Sequence, residues 1–152
     1  MFYRKESPPL NNQLFVFFPL IAALGAMIIS QTIKLIMMLL SGKGIHWVTL
    51  TRSGGMPSSH SALITAITLS VGLKEGFDSS FFFIATVLSL VVIYDARGIR
   101  HAVGKHAQIL NQQRTPTQKK LNEQVGHTLP EIIVGISIGI LVSLGMYHLI
   151  NF

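Results

Sequence analysis

The sequence predicts an all-α fold, an integral membrane bundle of about four transmembrane helices with a polar, partly helical loop before the last one. Hydrophobic residues make up 49% of the 152 residues and charged residues only 12%, whereas soluble domains carry about 25% charged residues. The apolar residues fall into four runs separated by polar segments. The absence of cysteine excludes disulfides, thiolate metal sites and a cysteine nucleophile.

The first apolar run extends from Leu14 to about Leu40 and follows a polar N-terminal tail at residues 1–12. At ~1.5 Å per residue, a helix of this length crosses the ~30 Å hydrocarbon core of a bilayer. Lys34 lies within its last two turns, where a lysine either snorkels to the interface or faces a polar site.

The second and third runs are shorter. A Gly-rich loop over 41–59 leads into the second run, which begins at Ser59 or His60 and reaches about Leu73. The third run extends from Ser79 to about Tyr94. Because both runs are marginal in length for a full crossing, a partly re-entrant arrangement remains an alternative.

The longest polar segment covers residues 95–127 and has a helical pattern up to about Gln112. Its part at 113–126 contains a proline and several polar side chains, which is typical of a mobile loop. The last apolar run starts near Leu129, because Pro130 is tolerated in a first helical turn, and ends near Ile150. We expect one membrane-embedded domain over residues 1–152.

Four crossings would place the 41–59 and 95–127 segments on the same membrane face. His60, which starts the second run, and His127, which precedes the fourth, would therefore meet at one membrane surface. Several basic side chains also belong to this face, and the candidates for phosphate binding among them are Lys34, Arg52, Arg97, Arg100 and Lys105.

The pair His127 and Glu131 indicates nucleophilic chemistry. Residues four apart lie on one face of a helix. A carboxylate bonded to one ring nitrogen orients the imidazole and leaves the other nitrogen free to attack. His60 could then protonate a leaving oxygen as general acid. The basic side chains, together with the amides near Ser58 and Ser59 at a helix N-terminus, would bind phosphoryl oxygens.

Two motifs resemble those of the type 2 phosphatidic acid phosphatase superfamily. Pro57-Ser58-Ser59-His60 is similar to its Pro-Ser-Gly-His motif, and the segment from His127 to Gly135 is similar to its last motif. The strings GGMPSSHSA, YDARGIRHAVGKHAQILN and GHTLPEIIVG resemble a divergent branch described as acid phosphatase/vanadium-dependent haloperoxidase-related membrane proteins. The resemblance covers the chain from about Gln31 to Gly139.

The resemblance implies a role for each matching residue. His127 would be the nucleophile that forms a phosphohistidine, Glu131 would orient it, and His60 would be the acid and base. Ser58, with the amide of Ser59, would bind phosphate. Lys34 or Arg52 would replace the basic residues of the first motif.

Three positions depart from the family pattern. Ser59 stands for a glycine, Glu131 stands for an aspartate, and Leu121 occupies the place of an arginine six residues before the nucleophile. Arg97 or Arg100, from the preceding helix, could replace that arginine.

The expected function is a membrane phosphatase acting on a lipid phosphate or diphosphate without a metal or other cofactor, although vanadate could mimic phosphate in the site. The alternatives are a vanadate-dependent haloperoxidase-like protein and a non-catalytic membrane protein that binds anionic lipid. Simpler explanations of the residues also exist: His60 could cap or snorkel, and the arginines could be a positive-inside cluster. His101 and His106 are five residues apart, a spacing that does not favour a metal site.

The expected partners are a phosphorylated lipid and the membrane itself. The net charge of +6 fits anionic headgroups rather than nucleic acid. A homodimer would be unsurprising for a bundle of this size. The expected location is the bacterial cell membrane. Lys and Arg are more numerous on the site face, which would place it in the cytoplasm. That bias nearly vanishes if Arg52, Arg97, Arg100 and Lys105 are held for substrate.

Overall fold

The computed structural model describes residues 10–42, 55–123 and 125–151. Five α-helices and no strand occur in these ranges, which confirms the predicted all-α membrane bundle. The helices are α1 (Leu10–Leu40), α2 (Ser59–Glu75), α3 (Ser80–Arg97), α4 (Ile99–Gln112) and α5 (Leu129–Asn151).

Within the described ranges, three helical stretches are long and apolar enough to cross a membrane: Leu14–Leu40, Ser80–Gln112 and Leu129–Ile150. Most of their large apolar side chains are exposed, as expected for a lipid-facing surface. The second stretch combines α3 and α4, although Gly98 interrupts the helix with non-helical φ and ψ angles of −84° and −87°. The predicted short helix is α2, whose 17 residues cover only ~25 Å.

Helix α2 occupies the centre of the bundle and packs against α1, α3 and α5. It is antiparallel to α3, since Ile64 and Thr68 face Ser89 and Ala85 respectively. It is parallel to α5, since the two helices are joined both at their starts and further along, at Ser70 and Ser143. Being surrounded by other helices, α2 is the least lipid-exposed part of the bundle, which fits its serine and alanine content.

Helices α2 and α5 approach closely because small residues line their contact. Ala62 and Ala66 of α2 are completely buried. A Cβ atom added to Gly139 of α5 would lie only 2.6 Å from the Ala62 carbonyl oxygen and 3.0 Å from the Ala66 nitrogen. Gly135, one turn earlier, is packed against the Ser58 carbonyl oxygen in the same way. This small-xxx-small pattern is typical of helix contacts within membranes.

Buried hydroxyl groups connect the helices at the level of the membrane interior. Ser143 Oγ donates to the Ala66 carbonyl oxygen at 2.9 Å and accepts from Ser70 Oγ at 3.1 Å. Thr68 and Ser89 hydroxyls lie 2.6 Å apart between α2 and α3. Each of these four hydroxyl groups therefore has a hydrogen-bond partner inside the protein, as a medium without water requires.

Capping residues explain where the central helices begin and end. Ser58 caps α2, and its Oγ accepts from the Ser61 N–H at 3.3 Å. Ser79 caps α3 in the same way through the Phe82 N–H at 3.2 Å. Gly76 ends α2 with a φ angle of +96°, which favours glycine. The predicted boundaries therefore agree closely with the structure.

The ends of the helices converge at one end of the bundle. The Ser58 N–H donates to the Glu131 carbonyl oxygen at 3.1 Å, which joins the starts of α2 and α5. The His127 N–H donates to the Ala96 carbonyl oxygen at 2.9 Å, which joins the segment before α5 to the last turn of α3. These bonds bring the two histidine-bearing segments to the same place.

The close contact of α2 and α5 predicts that Gly139→Ala destabilises the protein. The new methyl group would meet backbone atoms of α2, and overpacking of this kind costs about 1–3 kcal/mol. Gly145→Ala is the matched control, because a Cβ there meets no described atom within 4 Å. Thermal unfolding in detergent should show a lower midpoint for Gly139→Ala alone. Equal midpoints for the two variants would contradict the contact.

Candidate functional site

Two backbone contacts fix the position of His127. Its N–H is bonded to the end of α3 through Ala96, as described above. The preceding Gly126 has a φ angle of +91° and packs against the backbone of Arg100 and His101, where a Cβ would not fit. The side chain of His127 is buried, with a residue exposure of only 3%. The imidazole is thus held between α3, α4 and α5.

Glu131 holds one nitrogen of this imidazole. Its Oε2 lies 3.0 Å from His127 Nδ1 and also accepts from the Thr128 N–H at 3.1 Å. Because a carboxylate only accepts hydrogen bonds, Nδ1 carries the proton and the lone pair of the neutral ring is on Nε2. The Glu131 carboxylate therefore both caps α5 and sets the tautomer of the histidine.

The second nitrogen of His127 makes no hydrogen bond within the described part of the chain. This atom, Nε2, is buried. An unsatisfied buried polar atom costs about 1–3 kcal/mol, so such atoms are uncommon and often functional. An unpartnered basic nitrogen beside an oriented carboxylate is the arrangement that a nucleophilic histidine requires.

Burial lowers the pKa of the His127 imidazole below its ordinary value of 6.5. The hydrogen bond and the negative charge of Glu131 oppose this effect, whereas the charges of Lys34 and His60 add to it. The net direction is downward, so the ring is neutral at pH 7 and its Nε2 lone pair is available.

His60 faces His127 across the site. It is the second residue of α2, and the centroids of the two imidazole rings are 6.4 Å apart at an interplanar angle of 56°. Its side chain is exposed, unlike that of His127. The two rings are therefore neighbours at the same end of the bundle, and His60 is the one that can be reached from outside.

Two cations lie beside the histidines. Lys34 is buried, with 5% exposure, and its Nζ lies near Gly55 at 3.6 Å from a Cβ built on that glycine. Its charge acts on His60, on His127 and on Glu131. The charge of Arg100 also acts on His60, although the two residues are far apart in the sequence. Positive charge therefore surrounds the space between the two rings.

Arg100 is oriented by an acidic neighbour. Its Nε donates to Asp95 Oδ2 at 2.5 Å, across the helix break between α3 and α4. Only one of the three guanidinium nitrogens is used in this ion pair, which leaves the other two able to donate elsewhere. Of the two arginines at this helix break, Arg100 is the one whose charge acts on His60.

The serines at the start of α2 are held by internal bonds. Ser58 is fully buried, and its Oγ is bonded to the N–H and to the Oγ of Ser61, the latter at 2.9 Å. Ser59 Oγ accepts from Gln31 Nε2 at 3.4 Å. The side chains therefore shape the turn. In the first helical turn, no described contact occupies the N–H groups of Ser59 and His60, which are suited to bind an anion.

Two of the predicted basic residues are not joined to the histidines. Arg97 and Lys105 have exposed side chains and make no ion pair or hydrogen bond within the described part of the chain. Arg52 lies outside the described residues. Leu121, at the arginine position of the family, has its backbone N–H and carbonyl bonded to the Asn111 side chain, both at 2.9 Å. Asn111 is ~16 Å along α4 from Arg100.

Gln31 belongs to the site but was not among the predicted residues. Besides its bond to Ser59, its Oε1 is buried and has no partner among the described residues. The available signal was a polar side chain in an apolar run, three residues before Lys34 and thus on the same face of α1. An unsatisfied acceptor here could bind a hydroxyl group or a water molecule.

The described residues contain no group of three or more His, Asp or Glu side chains placed to hold a metal ion. Among the described groups, Lys34, Arg100 and the start of α2 supply positive charge at the site. This combination of cations and backbone N–H groups is suited to a phosphate-like anion.

Comparison with known proteins identifies a family model and a relative that match the chain. The family model described as "Divergent PAP2 family" matches residues 15–142. A curated protein of Bacillus subtilis (strain 168), "Uncharacterized membrane protein YuiD", is 33% identical over 150 residues, which cover 87% of this chain and 95% of the relative. No solved structure matches the chain.

The His127–Glu131 contact predicts a definite tautomer. In ¹⁵N NMR of histidine-labelled protein in detergent, the signal lost in His127→Asn should show a protonated Nδ1 and an unprotonated Nε2. In Glu131→Gln the carboxylate charge that raises the pKa of His127 is absent, so that pKa should fall further and the tautomers should mix. The exposed His106 serves as internal control and should not change. A protonated Nε2 in the native protein would contradict the geometry.

Proposed function

The chain belongs to the divergent PAP2 family, and we propose that it is a membrane phosphatase that hydrolyses a lipid phosphate or diphosphate through a phosphohistidine. The observation that carries the proposal is the buried Nε2 of His127, which no described residue binds, while Glu131 binds its Nδ1. A lipid substrate fits the integral membrane location, because acyl chains would surround the exposed apolar helices that carry the site.

In the first step the phosphate binds between the two histidines. Lys34 and Arg100 neutralise its charge, and the N–H groups at the start of α2 donate to its oxygens. The Lys34 side chain is buried beside Gly55, so little water competes for its charge. No metal or other cofactor takes part in this proposal.

In the second step His127 Nε2 attacks phosphorus. A P–N bond forms and the bond from phosphorus to the leaving oxygen breaks, in an in-line displacement. His60, in its imidazolium form, gives a proton to the leaving oxygen, which departs as the lipid alcohol or as a lipid monophosphate. Burial and the charges of Arg100 and Lys34 lower the pKa of His60, so this proton is held only when the bound phosphate adds its negative charge. Glu131 stabilises the positive charge that develops on the His127 ring, because its carboxylate is bonded to Nδ1.

In the third step water hydrolyses the phosphohistidine. The oxygen of the water bonds to phosphorus as the P–N bond breaks. His60, now neutral, accepts the proton that the water loses. Inorganic phosphate leaves and His127 is again neutral. Gln31, with its unsatisfied buried acceptor, is placed near Ser59 to orient a hydroxyl or the attacking water.

We place the protein in the bacterial cell membrane, with the site on the cytoplasmic side. The basis for the cytoplasmic orientation is the excess of lysine and arginine in the polar segments at the site end of the bundle. This proposal can be tested by the accessibility of the site end to reagents that do not cross the membrane.

One observation favours an alternative, a non-catalytic protein that binds anionic lipid. Leu121 replaces the family arginine, and Asn111 holds it far along α4 from the site. For catalysis, Arg100 would have to supply the positive charge that the family arginine provides. Under this alternative, the same cations bind a lipid phosphate that is never cleaved.

The phosphatase proposal predicts phosphate release from a panel of lipid phosphates by the purified protein in detergent. His127→Ala should lose at least about 10³-fold in rate because it lacks the nucleophile, and His60→Asn about 10²–10⁴-fold because it lacks the acid. His106→Asn, an exposed histidine outside the site, is the matched control and should retain full activity. Vanadate should inhibit the native protein.

Acid-stable and acid-labile phosphate can be separated to detect the intermediate. Brief reaction with labelled lipid phosphate, followed by denaturation at alkaline pH, should trap labelled native protein but not labelled His127→Ala. Release of phosphate that persists in His127→Ala would contradict the proposal. A folded native protein that binds anionic lipid but releases no phosphate would favour the non-catalytic alternative, and vanadate-dependent bromide oxidation would favour a haloperoxidase-like activity.

The proposal also predicts the pH dependence of turnover. His127 must be neutral to attack, and burial lowers its pKa below 6.5. The acid limb of the rate profile should therefore lie below pH 6.5, with the rate lost as His127 is protonated. Glu131→Gln should lower the overall rate and move this limb to still lower pH, because the opposing carboxylate charge is gone. An acid limb that moves upward would contradict the assignment.

A further inference from the structure

Helix α4 has one face that packs on the protein. Arg100, Gly104, Ala107 and Asn111 recur at intervals of three and four residues and so lie on one side of the helix. Gly104 is covered so closely that an added Cβ would lie 2.7 Å from the Val125 carbonyl oxygen and 2.8 Å from that of Glu123. The polar segment before α5 therefore covers this face.

A second face of α4 is apolar and uncovered by any described residue. Ile99, Val103 and Leu110 lie on this face, at i, i+4 and i+11. These three residues are 63%, 48% and 53% exposed. The exposed His106 lies at the edge of this face, and Ile109, which is 53% exposed, lies beyond it. We name Ile99, Val103 and Leu110 the apolar stripe.

The remaining face of α4 is polar. His101, Lys105, Gln108 and Gln112 recur on the side of the helix away from the apolar stripe, and three of them are exposed. Helix α4 thus presents one flank to the protein, an apolar stripe to one side and a hydrophilic face to the opposite side. This is the pattern of a helix that lies at a boundary between lipid and water.

The position of α4 in the chain identifies lipid as the occupant of the apolar stripe. Helix α3 forms the first part of the apolar stretch Ser80–Gln112, which is long enough to cross a membrane, and its last turns expose Val91 and Tyr94 by 60% and 77%. Helix α4 begins two residues after α3 ends, so the apolar stripe continues a surface that already faces lipid. With 14 residues, α4 covers only ~21 Å and cannot itself cross the bilayer.

Charge supports the same occupant. Residues 95–127 contain six lysines and arginines against two acidic residues, Asp95 and Glu123. A basic segment beside an apolar stripe is attracted to the anionic headgroups of a membrane surface. A water-filled location would leave the apolar stripe exposed without compensation.

We propose that α4 is an interfacial helix whose apolar stripe is inserted into the boundary between headgroups and acyl chains of a lipid bilayer. Gly126 packs against the backbone of Arg100, which belongs to this helix. Both residues are then held at the depth of the headgroups. The inference does not depend on catalysis, since it concerns where α4 lies and not what the histidines do.

The absence of cysteine makes the proposal directly testable. Val103→Cys, in the apolar stripe, and Gln108→Cys, on the polar face, can each be labelled with one environment-sensitive fluorophore. Both proteins are reconstituted into phosphatidylcholine vesicles that contain phosphatidylglycerol. Quenchers are iodide in the water and lipids that carry a nitroxide near the headgroup. Unchanged circular dichroism and gel filtration in detergent show that each labelled protein is folded.

The expected result is a difference between the two positions. The label at position 103 should be blue-shifted and quenched at least about two-fold more strongly by the lipid nitroxide than the label at 108, with the reverse order for iodide. Equal quenching by iodide would overturn the proposal. Cross-linking of two Val103→Cys copies by a thiol reagent across the apolar stripe would also overturn it, by showing that a second copy is the occupant.

Discussion

The close approach of α2 and α5 is the contact on which the rest of the site depends. Gly135 and Gly139 remove the side chains that would keep these helices apart, and the Ser58 N–H then reaches the Glu131 carbonyl oxygen. Within a membrane, helices gain little from the hydrophobic effect on association, so packing of small residues and interhelical hydrogen bonds must supply the stability. Because α2 and α5 are parallel and begin at the same level, the histidine at each start is delivered to the same place.

Charge at the site is balanced by its own neighbours. Lys34 is buried, and burying a single ammonium group would be costly without a nearby negative charge. Glu131 supplies that charge while it also binds His127 and caps α5. One carboxylate thus serves three neighbours. Its extra methylene, compared with an aspartate, belongs to a side chain that reaches both the His127 ring and the Thr128 N–H.

The helix boundaries and the His127–Glu131 pair could be predicted because they depend on local sequence. Ser58, Ser79 and Gly76 are ordinary capping residues, and a spacing of four across the start of α5 brings the His127 ring within reach of the Glu131 carboxylate. The neighbours of His60 could not be predicted in the same way. Arg100 reaches the site because the chain breaks at Gly98, and Leu121 is drawn away because Asn111 binds its backbone. Gln31 gains its place only when α1 packs on α2. These relations join residues distant in sequence, which periodicity does not encode.

The helices around the bundle differ in length, and this has a consequence for the surrounding bilayer. Helix α1 has 31 residues and is ~46 Å long, whereas the lipid-facing α3 has 18 residues and is ~27 Å long. A helix longer than the hydrocarbon core tilts, and a shorter one thins the bilayer beside it. Hydrophobic mismatch would therefore draw the lipid surface inward along α3, the helix that ends at Ala96 and Arg97. The headgroups there would descend toward the level of the two histidines, so membrane thickness becomes a variable of this site.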